Sequence, residues 1–357
     1  MQLNRRTLLA GALAVGAAGV AAPFILRSSR RPRLRLASSI YVGWMPWFYA
    51  AESGLLAKIA AAHGVEIEFV RGDYADTISL FGAGAVDAVT MTNIDAAPAI
   101  VSANIQADAV LPGSFSNGND AIMMRPPARP LAGSRLGLVQ YSVSHYLLDR
   151  VLEKKGIPFD QVRLVNLADS AIISSYVNRN NDLDGVVTWN PLVDELERRH
   201  GAVRVADSRA IPYEIADMLV VNRASRKKAP QFVRALLETW FAVTSEMRAN
   251  PKKMDAVLGR LSGTDAAGYR RQLDDTILSD TPQKALAVFK AGKLAASAPF
   301  VKAFALRHKL VEKPPRRWMT FGDEEPGALH FDARPLRALL AAKTPQSIPA
   351  AAGTNGR

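Results

Sequence analysis

The residues able to do chemistry in this chain are grouped by position. Tyr41, Trp44 and Trp47 stand together, as do Thr92, Asn93 and Asp95. Asn117 and Asp120, then Ser144, then Trp189 and Asn190, and finally Glu214 and Asp217 follow. Across segments 41–54, 89–96, 114–122, 141–148, 187–196 and 211–217 there is no Lys or Arg. The same segments hold Glu52, Asp95, Asp120, Asp194, Glu195, Glu214 and Asp217. Acid beside aromatic suits a flat, N–H-rich cation. Guanidinium matches a carboxylate in bidentate fashion, and its faces stack on indole rings at roughly 0.5–2 kcal/mol each. Tyr41, Trp44, Trp47 and Trp189 supply such faces. Urea has the same shape without the charge and would favour Asn93, Asn117, Asn190 and hydroxyls. A small anion would call for Arg, Lys or helix N-termini; helix starts at Ser144 and Trp47 keep that reading open.

Each of these residues also has a purely structural reading. Tryptophan is more often core than contact. Asp95 sits where an N-cap aspartate belongs, and Ser142 and Ser144 look like caps. Asp120 and Asp217 could hold backbone amides where the chain crosses between lobes, and Glu214 lies beside an Ile-Pro turn. Glu52, Asp194 and Glu195 read as solvated helix positions, and His145 as a structural histidine. Strand alternation favours Thr92 and Asn93 over Thr90 for the face that meets a crevice.

The elements that must position these groups follow a β-α-β rhythm from Arg33 onward. Strands are expected at Leu34–Ser38, Val65–Val70, Asp87–Met91 and Ala107–Leu111, with helices at Trp47–His63, Ala75–Gly82 and Asp95–Ser102 between them. A second unit repeats the pattern, with strands at Arg135–Val139, Val162–Asn166 and Gly185–Thr188 and helices at Ser144–Lys155, Ser170–Asn178 and Pro191–His200. A long helix from Pro230 to Asn250 and further helices to about Leu310 complete the body. Such alternation predicts α/β lobes with mostly parallel sheets. Asn119–Arg125 and Ala216–Arg223 each run Asp, apolar stretch, Arg, and sit at the seams. They read as two hinge strands joining lobe 1 (33–121 plus 223–320) to lobe 2 (122–222). Every segment named above falls where a strand ends or a helix begins, the place where open α/β sheets bind ligands.

The N-terminus reads as an export signal over residues 1–26, with paired Arg5 and Arg6 before an apolar run from Leu8 to Ala22. That run is short for a membrane span, which needs ~20 residues, so a cleaved twin-arginine-type signal is preferred to an uncleaved anchor. The formal charge of +12 is misleading: residues 1–35 hold seven arginines and no acid, leaving +5 on the remainder. Basic residues interleaved with aromatics on a folded face, as nucleic-acid binding requires, are not seen. There is no cysteine among the 357 residues, which excludes disulfides and cysteine-based sites. No Gly-x-Ser-x-Gly or His-Glu-x-x-His motif occurs, and no cofactor or metal is expected. Residues 345–357 read as a flexible tail.

Taken together, six segments resemble the periplasmic solute-binding proteins of the nitrate, sulfonate and taurine type over roughly residues 33–320. They are Gly43–Gly54, Val89–Asp95, Phe115–Ile122, Ser142–Leu148, Val187–Leu192 and Ile211–Ile215. More narrowly, the pattern resembles the branch associated with urea carboxylase gene regions. It departs at Tyr213, where glycine commonly follows the proline. The resemblance implies a type II two-lobed binding fold and a periplasmic, monomeric protein. Its ligand would be guanidinium or urea, taken in the cleft and passed to the permease of an ABC importer. Two alternatives stay open: a binder of a small anion such as nitrate, a sulfonate or taurine, and an enzyme on the same fold of the pyrimidine-synthesis type. Those enzymes depend on a cysteine-rich loop and a cofactor-bearing lysine, whereas this chain has no cysteine and no lysine in the site segments.

Overall fold

The computed structural model describes residues 31–343. The expected export signal and the tail from 345 lie outside the described residues. In chain order the first elements are β1 (Arg33–Ser38), α1 (Met45–Glu52), α2 (Leu55–Ala62), β2 (Glu66–Arg71), α3 (Tyr74–Gly82), β3 (Ala88–Thr92), α4 (Asn93–Ser102) and β4 (Ala107–Ser116). The single helix expected over Trp47–His63 is two. Gly54, at φ 74°, takes a left-handed turn open to glycine, and the chain restarts as α2 in a new direction.

The chain then builds β5 (Asp120–Met124), β6 (Arg135–Leu138), α5 (Val143–Lys155), β7 (Arg163–Asn166), α6 (Ile172–Val177), β8 (Gly185–Trp189), α7 (Leu192–His200) and β9 (Val203–Asp207). It returns through β10 (Ala216–Asn222) and continues with α8 (Arg223–Lys228), α9 (Pro230–Ala249), α10 (Pro251–Ser262), α11 (Ala266–Asp274) and β11 (Thr276–Leu278). The last elements are α12 (Pro282–Lys290), α13 (Lys293–Arg307), β12 (Met319–Phe321), β13 (Leu329–Phe331) and α14 (Arg334–Lys343).

Two mixed sheets result. The larger runs β12-β13-β4-β10-β3-β1-β2, with β11 also paired to β4. The smaller runs β7-β6-β8-β5-β9. Helix-linked strands pair in parallel, as β1 does with β2 and β3, and β6 with β7 and β8. Some strands run antiparallel to their neighbours: β10 between β3 and β4 and β11 beside β4 in the larger sheet, and β5 between β8 and β9 in the smaller. The expectation of mostly parallel sheets is thus corrected to mixed ones, because β5 and β10 each enter from the other lobe and run against the local βαβ direction. Sheet membership also places 216–222 in the larger sheet, so the return crossing precedes Ala216.

Strand β5 shows how one strand serves two cores. Ala121 and Met123 face the cluster beneath α6 and α7, while Ile122 and Met124 face the cluster shared with the larger lobe, as the two-residue side-chain period requires. Among the described residues no helix is long and apolar enough to cross a membrane.

Candidate functional site

The chain ends its strands at one place. Trp44 lies in a single 3-10 turn, Val42–Trp44, just after β1. Tyr74 opens α3 after β2, Thr92 closes β3, Val143 opens α5 after β6, and Trp189 closes β8. The two crossing strands add residues from their starts: Asp120, the first of β5, pairs in register with Trp189, and Asp217, the second of β10, lies between Thr92 and Ser114. These side chains, with Tyr41, enclose a small cavity between the two sheets, with about 10 Å³ open to the centre of a water molecule. That is close to the room one water needs.

Its wall is aromatic and acidic. Tyr41 meets Trp44 edge-on at 5.1 Å, Trp44 lies over Tyr74 at 5.5 Å, and Tyr74 meets the Trp189 ring edge-on at 5.5 Å. Tyr74 and Thr92 carry a third carboxylate behind the wall: the Tyr74 and Thr92 hydroxyls each donate to Asp95 at 2.7 Å. Asp217 accepts from Ser114 at 2.6 Å, and the Asp120 amide donates to Ser116. Among the described residues no Lys or Arg lines the cavity.

The electrostatics follow from that omission. Burial pushes Asp120 up to about 7; the Ser116 hydroxyl opposes the shift and the Asp95 charge adds to it. Burial likewise raises Asp95 to about 6 against the hydrogen bonds from Tyr74, Thr92 and the Val143 amide. Asp217 goes well above the carboxylate range, through burial and through Asp120, although Ser114 bonds it. Near neutral pH Asp120 is therefore close to its midpoint and Asp95 mostly ionised, while Asp217 holds a proton more tightly than an ordinary carboxyl does. The Tyr41 hydroxyl is raised by burial and by Asp217 and Asp120. Neither that hydroxyl nor Trp44 Nε1 finds a hydrogen-bond partner among the described residues, though both are buried. Among the described residues no group of three or more His, Asp or Glu side chains is placed to hold a metal ion.

The remaining residues singled out from sequence lie off this wall. Trp47 packs on Trp240 at 5.4 Å in the larger lobe. Asn93 fastens the return crossing, donating to Glu214 O at 3.0 Å and accepting from the Ala216 amide at 2.9 Å. Asn190 donates to Asn119 at 2.8 Å and accepts from the Asp194 amide. The Asn117 amide donates to Asp275 O. Ser144 is fully buried, with its amide bonded to the Ser142 cap and its own hydroxyl without a partner. Glu214 is gripped by Arg150, at 2.9 and 3.0 Å, and by Tyr146. The α4 cap is Thr92 rather than Asp95, which lies one turn in. Tyr213, where the resemblance expected glycine, holds a left-handed φ of 63° beneath Lys293. Tyr74 and Val143 were not singled out from sequence. An aromatic at the start of a helix after a strand was the available signal for Tyr74.

Around the cavity the lobes touch through polar pairs. The Tyr74 amide donates to Asp169, Ser170 donates to Asp73 at 2.6 Å, and Arg271 bonds Asp194. Behind it, α13 braces α5: Arg307 bonds both oxygens of Asp149 at 2.9 and 2.8 Å, and His308 lies 4.3 Å from His145. Outside the mouth a groove of about 980 Å³ runs between the lobes.

Two sheets joined by two crossing strands, with a cavity at the strand ends between them, form the two-lobed fold of periplasmic binding proteins. Solved structures agree. An alkanesulfonate-binding protein of Xanthomonas axonopodis pv. citri superposes with a TM-score of 0.66 at 17% identity, covering 80% of this chain and 96% of that one. The aliphatic sulphonate-binding protein of Escherichia coli gives 0.64 at 18%, over 79% and 94%. The nitrate-binding protein of Synechocystis PCC 6803 gives 0.56 at 10%, over 80% and 92%. At these identities the likeness establishes the fold alone. In sequence, the family model described as NMT1/THI5 like matches residues 127–254. The taurine-binding periplasmic protein of Escherichia coli (strain K12) is 30% identical over 189 residues, which is 49% of this chain and 58% of that relative. The chain thus matches little more than half the length of that curated relative.

Proposed function

We propose that this chain is the exported, periplasmic solute-binding component of an ABC importer. It captures a small planar nitrogen compound, guanidinium or urea, between its lobes and passes it unaltered to the permease. The observation that carries the ligand class is the set of three buried carboxylates, Asp95, Asp120 and Asp217, around an aromatic cavity with no Lys or Arg on its wall. Buried charge is costly unless paired, and a ligand bearing N–H donors is the partner these acids lack. Guanidinium would take the ionised carboxylates in bidentate fashion. Urea would give N–H groups to them and its carbonyl to Trp44 Nε1. Ligand touches both lobes only when they are shut, so it shifts the population toward the closed form held by the Tyr74–Asp169 and Ser170–Asp73 contacts.

A second reading is favoured by the comparisons: a small anion or aminosulfonate, as the names of the taurine-, sulfonate- and nitrate-binding relatives suggest. Taurine carries an ammonium for the carboxylates, and its sulfonate would use the free Tyr41 and Trp44 donors and the α5 N-terminus at Val143. Isothermal titration of the mature protein with guanidinium, urea, nitrate and taurine separates the two. Binding of guanidinium or urea, without nitrate, supports the first reading. Binding of nitrate or taurine alone overturns it.

A further inference from the structure

We propose that Trp189 is the partition that limits ligand length, so that the cavity takes unsubstituted planar nitrogen compounds and excludes their N-alkyl derivatives. The inference deepens the functional reading above and rests on it. Among the described residues, Trp189 is the one that lines both the closed cavity and the groove of about 980 Å³ outside it.

The other walls are fixed by their surroundings. Thr92, Asp120 and Asp217 belong to strands held in register on both sides or at a strand end. Tyr74 is tied through its hydroxyl to Asp95 and the Thr92 amide and through its own amide to Asp169. Tyr41 and Trp44 line the cavity but not the groove outside it. The Trp189 side chain, like that of Trp44, makes no hydrogen bond among the described residues, and it rests edge-on against Tyr74 at the boundary with the groove.

Beyond its ring the groove offers apolar surface at Phe48, Leu192 and Leu261, suited to an alkyl chain. A substituent on a guanidinium seated against Asp120 would have to pass through the indole to reach it. Overfilling a packed site is penalised steeply, and a single excluded methylene discriminates by roughly 10-fold or more.

The test is isothermal titration of guanidinium, methylguanidine and n-butylguanidine into the unaltered protein, Trp189→Phe and Trp189→Ala. The unaltered protein should lose roughly 10-fold or more in affinity from guanidinium to butylguanidine. Trp189→Ala should reverse that order, with Trp189→Phe between the two. Equal affinity of the unaltered protein for guanidinium and butylguanidine overturns the partition whatever the variants do, so the result does not depend on their folding. Guanidinium binding with a length preference unmoved in both variants overturns it as well. If the unaltered protein binds no guanidine at all, the guanidinium branch of the functional reading fails and takes the inference with it, whether or not urea binds.

Discussion

Two groups of buried carboxylates in this protein are treated in opposite ways. At one end of the larger sheet, Asp108 and Asp332 are as little exposed as the cleft carboxylates, and each is met by arginine. Arg226 bonds both at 2.7 Å, Arg223 takes Asp108 at 2.9 Å, and Arg334 takes Asp332 at 2.8 Å. Burial would raise Asp332, but the bonds from Arg334 and Arg226 outweigh it and hold that carboxyl down at about 2. In the cleft, Asp95, Asp120 and Asp217 receive hydroxyls and amides but no cation, and all three are raised. The same fold supplies arginine to the acids at the sheet's end and withholds it from those in the cleft. The brace behind the cleft follows the first rule, with Arg150 on Glu214 and Arg307 on Asp149.

Substitution can break either treatment. Arg226→Ala leaves two buried acids with one arginine each and should cost about 3 kcal/mol, the lower end for a broken buried pair, read by urea unfolding. Asp120→Asn should weaken guanidinium binding by about 2–4 kcal/mol while leaving the fold intact, read by titration calorimetry. Asp217→Asn should do the opposite of Arg226→Ala and stabilise the ligand-free protein, by about 1 kcal/mol. A carboxyl raised in the folded state binds protons better there, so its contribution to stability falls as pH rises toward the folded pKa. The gain from Asp217→Asn should therefore be larger at high pH than at low. Tyr74→Phe removes the hydroxyl's bonds to Asp95 and to the Thr92 amide and should cost about 1–2 kcal/mol, read as a fall in melting temperature.

Much of this arrangement was legible in the sequence, and the reasons for the rest are local. The βαβ rhythm was readable from Arg33 because strand ends and helix starts are marked by Gly, Ser and Asp. The antiparallel course of β5 and β10 was not, since it is set by which lobe the chain comes from. Strands β12 and β13 have three residues each, too few to carry a period. At the site, Tyr41, Trp44, Thr92, Asp120, Trp189 and Asp217 share one cavity because each ends or begins an element at the same edge. Trp44 and Trp47 look equivalent at a helical spacing, yet Trp44 sits in the turn before α1 and only Trp47 is helical, so they part company. Asn93, Asn190 and Glu214 carry the right chemistry but spend it on the crossing backbone and on Arg150. No spacing rule distinguishes those uses, because the partners are more than 60 positions away in sequence.

The central claim is that the cleft carboxylates wait for a ligand that brings N–H donors and positive charge. Calorimetric titration of guanidinium at about pH 6.5, in buffers of different ionisation enthalpy, counts the protons exchanged on binding. A bound cation holds Asp95 and Asp120 ionised, so binding should release protons and tighten as pH rises. If guanidinium is ignored and nitrate or taurine binds with proton uptake instead, the carboxylates are not the ligand's partners and the account is wrong.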